Sequence, residues 1–171
     1  FAMVVARFDQ ADGAKDIRQL AWLKDRDGTE SWQVPSKQGK VPNLLYKGEQ
    51  LAQYPDKPVL IVEGEKCVDA IADAWHKWIV LTWQGGSTTA GQADWSGFEA
   101  RDVTIWPEND EPGTKEAAAI VEHIPHAKVV TPPTSAAPGW DVADAIESGW
   151  DNTQLYELVK AAAPAEVAAE L

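Results

Sequence analysis

Three short stretches carry the acids best suited to chemistry: Glu63-Gly64-Glu65-Lys66, Glu108-Asn109-Asp110-Glu111-Pro112-Gly113 and Gly139-Trp140-Asp141-Val142-Ala143-Asp144. Carboxylates packed close together raise one another's pKa, so leaving them bare is costly. A hard divalent cation relieves the repulsion, and Mg²⁺ takes oxygen ligands from a few carboxylates together with substrate phosphates. Glu108 and Asp110 stand two apart on a segment read as extended, where alternate side chains face one way. Such a cluster suits phosphoryl transfer, the ion neutralising charge on a phosphodiester or a triphosphate. Glu63, distant in sequence but ending a neighbouring strand, is placed to act as general acid or base on a hydroxyl. Taken singly, Glu65, Glu111 and Asp141 also suit the plainer role of helix cap or first-turn acid. Glu63 suits it least, because it directly ends a buried strand and precedes a glycine.

The elements that must position these acids are legible in the pattern. Val59-Leu60-Ile61-Val62 is a wholly apolar, β-branched run, as expected of a strand buried on both faces of a parallel sheet. Val68, Ile71, Ala72 and Trp75 then recur at helical spacing. Ile79 to Trp83 and Val103 to Trp106 read as further strands, with Gly85-Gly86 breaking the chain after the first of them. Gly113 opens a helix carrying Ala117, Ile120, Val121 and Ile124 on one face, and Lys128 to Thr131 reads as a fourth strand. Pro132, Pro133 and Pro138 stiffen the loop beyond it, Asp141 to Ser148 reads as a short helix, and Asn152 caps a last helix with Leu155, Leu158, Val159 and Ala162. Alternating strands and helices predict an α/β fold with a four-stranded, mostly parallel sheet flanked by helices. Ligands in such sheets bind beyond the carboxyl ends of the strands, where the three acidic stretches fall.

Residues 1–57 read differently, as a small β-rich lead-in. Phe1 to Phe8, Arg18 to Lys24 and Ser31 to Val34 alternate in polarity between turn signals at Asp12-Gly13 and Asp27-Gly28. Pro55 to Pro58 punctuates the chain, so the division expected is a lead-in over 1–57, an α/β domain over 58–163 and an Ala/Glu-rich tail over 164–171. The sequence begins at Phe1 rather than Met, as a piece of a longer protein would.

Composition narrows the function. The single cysteine, Cys67, excludes a disulfide framework and a cysteine zinc site, and favours the cytoplasm. His76, His123 and His126 lack zinc-ligand spacing, so packing or surface roles are expected. No apolar run approaches a membrane span, and no Gly-rich loop ending in Lys-Ser/Thr marks an ATPase. The net charge of −12 predicts weak intrinsic affinity for nucleic acid unless cations or other domains offset it. Nine tryptophans are expected in cores and interfaces more than in base stacking.

The residues match a known family pattern. Val59 to Lys66 resembles the glutamate motif of TOPRIM domains, Glu108 to Gly113 resembles their Asp-x-Asp motif with its trailing glycine, and Gly139 to Asp144 resembles the further acidic motif of primase-type members. The resemblance covers about residues 59–150. Ile105-Trp106-Pro107 and the stretch from Pro42 to Lys57 are similar to segments of phage- and plasmid-type primases, some of them joined to a helicase. The resemblance implies a primase catalytic domain that joins nucleoside triphosphates on a single-stranded DNA template with Mg²⁺ or Mn²⁺, with a helicase and a zinc-binding module as partners and no membrane. It implies catalytic roles for Glu63, Lys66 and Lys115, and metal binding by Glu63, Glu108, Asp110, Asp141 and Asp144. Two positions depart from the family: Glu108 stands for the first Asp of Asp-x-Asp, and Cys67 stands where housekeeping primases carry an acid, so that either Glu65 or Asp69 compensates or the site holds fewer metals. A TOPRIM nuclease and a non-catalytic binding module are the alternatives. A topoisomerase is not expected, since Tyr46, Tyr54 and Tyr156 lack the context of a nucleophilic tyrosine.

Overall fold

The computed structural model describes residues 3–9, 15–25, 27–34, 44–85 and 89–165. The turn expected at Asp12-Gly13, and Gly86, lie outside them. The chain divides into two compact units, Phe1–Val41 and Pro42–Leu171.

The first unit is an antiparallel meander of β1 (Met3–Asp9), β2 (Lys15–Lys24) and β3 (Glu30–Gln33). The hairpin between β2 and β3 closes where Asp27-Gly28 predicts it. The Asp25 carboxylate accepts from the N–H groups of Asp27 and Thr29, and Gly28 takes a φ of 85° that other residues resist. Trp22 lies opposite Trp32 across this hairpin, edge to face at 5.6 Å, and both are exposed.

In the second unit the strands are β4 (Leu45–Tyr46), β5 (Val59–Val62), β6 (Ile79–Trp83), β7 (Val103–Trp106), β8 (Lys128–Val129) and β9 (Ala163–Pro164). Among the described residues they form one sheet in the order β4-β6-β5-β7-β8-β9. The inner four strands, β6-β5-β7-β8, are mutually parallel, and β4 and β9 add antiparallel edges. The mostly parallel α/β sheet read from the sequence is therefore present, with two short edges added. Leu45–Tyr46 pairs with Trp83 and Thr82, which puts part of the stretch read as lead-in into this sheet. The fourth strand ends at Val129 rather than Thr131, before Pro132 and Pro133, whose missing N–H groups cannot extend a ladder.

Both faces of the sheet are covered, as the apolar run of β5 requires. Val59 and Ile61 pack on one side with Ile79, Leu81, Phe98, Ile105, Ile120 and Ile124, while Leu60 and Val62 pack on the other with Val68, Ile71, Trp106, Leu155 and Val159. Helix α3 (Glu111–His123) covers the first face, and α2 (Glu65–Ala72), α4 (Val142–Glu147) and α5 (Asn152–Lys160) cover the second. Helix α1 (Glu49–Gln53), which the sequence pattern did not suggest, follows β4. Seven of the tryptophans lie in this unit, and those at 75, 83, 95 and 106 are buried, in accord with the core role expected. His123 and His126 contact backbone oxygens of Gly91 and Arg101, which are packing roles.

Two helix starts differ from the sequence reading. Helix α3 begins at Glu111, two residues before Gly113, because Asp110 is its N-cap. Helix α5 is capped by Asp151 rather than Asn152: the Asp151 carboxylate accepts from the N–H groups of Thr153 and Gln154 at 2.9 Å, and Gln154 Oε1 accepts from the Asp151 N–H. Replacing Asp151 with Ala is expected to cost about 1 kcal/mol of stability, read as a lower urea midpoint with an unchanged slope. Among the described residues no helix is long and apolar enough to cross a membrane.

Candidate functional site

The acidic stretches meet at the carboxyl ends of the parallel strands. Glu63 directly follows β5, the strand between β6 and β7, and Glu108 lies just beyond β7. Gly64 holds φ 81° and ψ 151°, a conformation essentially reserved for glycine. Its N–H donates to the Oγ1 of buried Thr82 on β6 at 3.1 Å, which ties the Glu63 turn to the neighbouring strand.

Beyond β7 the chain turns sharply instead of staying extended. The Asp110 N–H donates to the Glu108 carbonyl at 2.9 Å, a three-residue turn. The expectation that Glu108 and Asp110 face one way along an extended segment is corrected here: the turn, not strand alternation, sets where they point. Asp110 then caps α3, accepting from the Gly113 N–H at 2.8 Å. Gly113 is required by space, since a Cβ there would lie 2.4 Å from the Glu108 carbonyl oxygen.

Asn109, between the two acids, is the staple the sequence reading missed. Its N–H donates to the Trp140 carbonyl at 2.9 Å, its carbonyl accepts from Gly139 at 3.0 Å, and its side-chain amide donates to the carbonyls of Ala136 and Ala137. Trp140 packs, with tilted rings, against Trp106, which ends β7, and against Trp150, at 5.5 Å from each. These contacts hold the proline-rich loop over β7 and carry Asp141 and Asp144 to the other acids. Asp141 and Asp144 form a reciprocal capping box at the start of α4, each accepting from the other's N–H. The cap role that any one acid could fill is thus real for Asp110, Asp141 and Asp144, and each occupies one carboxylate oxygen.

Glu63 and Glu108 have no such duty. Burial first, then the facing Glu116 and the charges of Asp110 and Asp141, push the Glu63 carboxyl up to about 8. Burial, then Glu63, Asp110, Asp141 and Asp144, push Glu108 up to about 7. Glu116, on the buried stripe of α3, meets Glu63 within hydrogen-bonding reach, and burial raises its pKa as well. A bond between two carboxyls requires a proton on one of them. The charges of Asp110, Asp141 and Asp144 thus bear on the Glu63, Glu108 and Glu116 carboxyls from neighbouring loops. Among the described residues, however, no three His, Cys, Asp or Glu side chains are drawn around one point as a ready-made metal cage.

The remaining residues named from the sequence lie at the rim. Lys66 pairs with Glu147 at 2.9 Å and Lys115 with Glu111 at 2.6 Å, both exposed. Exposed pairs of this kind are weak and exchange readily. Asp69 is held by Lys47 at 2.9 Å and by the Tyr46 hydroxyl, on the β4 side of the sheet. Cys67 is buried, and burial with Asp141 beside it pushes the thiol far up, so it stays protonated. Glu65 lies in the first turn of α2.

The raised carboxyls make stability depend on pH. The unfolded chain releases these protons above about 4.5, whereas the folded protein retains them to about 7 at Glu108 and about 8 at Glu63. Folding therefore takes up protons in that window, and stability falls as pH rises through it. Urea unfolding in EDTA is expected to give a lower midpoint at pH 8 than at pH 5.5, and a pH-independent midpoint would contradict the raised values.

A hollow of about 730 Å³, lined by Pro55, Pro58, Arg101 and Asp102 among others, lies at the amino ends of the strands. Arg101 there donates to the carbonyls of Leu51 and Tyr54, which is a structural role. Parallel sheets bind ligands at the opposite end.

No family model and no curated protein matches the chain. Solved structures do. A chain of the bacteriophage T7 lagging-strand DNA polymerase assembly, with primase domains of two gp4 subunits bound to an RNA/DNA hybrid and dTTP, aligns over 95% of this chain and 79% of its own at 19% identity and a TM-score of 0.58. The E. coli primase catalytic core aligns over 92% of this chain and 57% of its own at 17% identity and a TM-score of 0.56. The primase fragment of the bacteriophage T7 primase-helicase aligns over 92% and 62% at 18% identity and a TM-score of 0.55. This chain therefore spans less than two thirds of the latter two. At these identities the likeness is one of fold: the chain is built on the scaffold of primase catalytic cores.

Proposed function

We propose that this chain is the TOPRIM-type catalytic domain of a primase, making primers on single-stranded DNA by metal-dependent nucleotidyl transfer. The observation that carries the reading is Glu63: a half-buried carboxyl at the end of an inner parallel strand, with Oε2 lacking a donor, facing acids from two other loops on a primase-core scaffold. Among the solved structures sharing the fold, one is a primase bound to single-stranded DNA, one belongs to a primase-helicase and one includes a zinc-binding domain. They support a template, a helicase and a zinc module as partners here; the cytoplasm and the replication of a phage, plasmid or integrated element are the setting this reading assigns.

The residues suit Mg²⁺ or Mn²⁺. Glu63, Glu108, Asp110, Asp141 and Asp144 would hold it, each having at least one oxygen outside the capping bonds. Mg²⁺ keeps several waters and takes one or two carboxylates plus substrate phosphates, so a three-ligand cage need not exist beforehand. The bound ion supplies charge neutralisation at the triphosphate. Glu63, at the strand end among these acids, would act as general acid or base on the attacking hydroxyl. Asn109 keeps the two acidic loops in register, and Lys66 and Lys115 at the rim would meet phosphate. With a net charge of −12, this chain needs cations or other domains to hold a template.

The test is a denaturing gel after incubation with single-stranded DNA, labelled nucleotides and Mg²⁺ or Mn²⁺. New labelled products are expected. Shortened template would identify a nuclease, and neither product, with primase zinc-binding and helicase modules supplied, would leave a binding module.

A further inference from the structure

Glu116 belongs to none of the acidic motifs, yet it is the most deeply buried acid among the described residues of the second unit. Helix α3 turns Gly113, Glu116, Ala117, Ile120 and Val121 inward, a stripe that is apolar except for this residue. Glu116 is 3% exposed, and the one side chain within hydrogen-bonding reach of it among the described residues is another carboxyl, Glu63, which offers a donor only when a proton is shared between them. Glu63, which it faces, likewise has a buried Oε2 with no N–H or hydroxyl donor among the described residues. The neighbouring acids differ, because Asp110, Asp141 and Asp144 each accept from a backbone N–H. Buried charges are paired or coordinate metals, and a side chain chosen only for packing on this stripe would be apolar.

We propose that Glu63 and Glu116 together hold a divalent cation, with Glu116 the deep ligand that completes the acidic centre from beneath. The ion is small, hard and oxygen-seeking, of the Mg²⁺ or Mn²⁺ class, because the donors are carboxylate oxygens and one side of the pair is closed to water. Glu116 would place it against the end of β5, while the half-exposed Glu108 and Asp110 face substrate. The inference rests on the functional reading in sharing Glu63, but its test does not require catalysis.

The experiment is a Mn²⁺ titration followed by electron paramagnetic resonance, in which bound ion loses its sharp signal. It compares the wild-type chain with Glu116→Gln, Glu116→Ala and a control, Glu122→Gln, on the exposed face of α3. Wild type and control are expected to bind Mn²⁺ alike, and both Glu116 variants to bind at least about ten-fold more weakly, the lower end of the loss seen when even outer-shell partners of a metal site are removed. The alanine variant guards against a result caused by misplacing an amide in the buried site. Wild-type affinity in either folded Glu116 variant would overturn the proposal and leave the two carboxyls as a pair sharing a proton. The same samples are assayed for primers. With primase zinc-binding and helicase modules supplied, loss of Mn²⁺ binding with no primers from any protein would keep the ion site and remove the primase reading, and primers with unchanged Mn²⁺ binding would do the reverse.

Discussion

Glu63→Gln is expected to lower nucleotide incorporation by about 10²- to 10⁴-fold, the range for removing a positioned acid or base, while the metal-free protein becomes no less stable. The two effects move in opposite directions for one physical reason. Glu63 is held where its charged form is disfavoured, by burial and by Glu116, Asp110 and Asp141. An amide of the same shape carries no charge, and its NH₂ can donate to Glu116, whose oxygens otherwise lack a donor. A glutamate retained only for the fold would show the reverse, with stability falling and chemistry following it. The comparison pairs initial rates at saturating Mg²⁺ with urea midpoints in EDTA at pH 8. Full activity in the variant would remove Glu63 from the chemistry.

Gly113→Ala is expected to damage both fold and activity. The added Cβ would lie 2.4 Å from the carbonyl oxygen of Glu108, 2.9 Å from its nitrogen and 3.0 Å from its carbonyl carbon. All three are backbone atoms, so no rotamer change relieves the overlap, and the turn from Glu108 to Asp110 must open. Forced overpacking of this kind costs about 1–3 kcal/mol. The shift also moves Glu108 against Glu63 and pulls Asp110 from the Gly113 N–H it caps. Primer synthesis is therefore expected to fall well beyond the loss of folded protein, measured as rate per folded molecule. Gly64→Ala makes a useful contrast: its Cβ meets nothing within 4 Å, and the strain lies only in the φ of 81°. If Gly113→Ala left the midpoint unchanged, the packing of α3 against the Glu108 turn would be wrong.

What the sequence disclosed follows from the strength of each local signal. The inner strands β5, β6 and β7 were legible because runs such as Val59 to Val62 are apolar on both faces, which only a covered sheet requires. The edges β4 and β9 were not, since two-residue pairings such as Leu45–Tyr46 with β6 leave no periodicity to read. The carboxyl-end rule brought Glu63, Glu108 and Asp141 to one end of the sheet. It said nothing of the turn between Glu108 and Asp110, which depends on a backbone bond and on the absence of a Cβ at Gly113. Asn109 was passed over because its work is to bridge loops distant in sequence. Glu116 was passed over because helical periodicity counts apolar positions, and a lone acid on a buried stripe looks like an interruption of the pattern. The signal was present all the same: Glu116 stands three residues after Gly113 and four before Ile120, on the face that periodicity assigns to the core.

The central claim is that a divalent cation sits at the carboxyl ends of β5 and β7. The direct test is a crystal of this chain grown with Mn²⁺, with anomalous scattering used to locate the ion. The account predicts a peak within about 2.0–2.6 Å of a Glu63 carboxylate oxygen, with Glu116, Glu108 or Asp110 as a second ligand. An empty site at saturating Mn²⁺, or a peak confined to Asp69 or to Asp102 at the opposite end of the sheet, would contradict it.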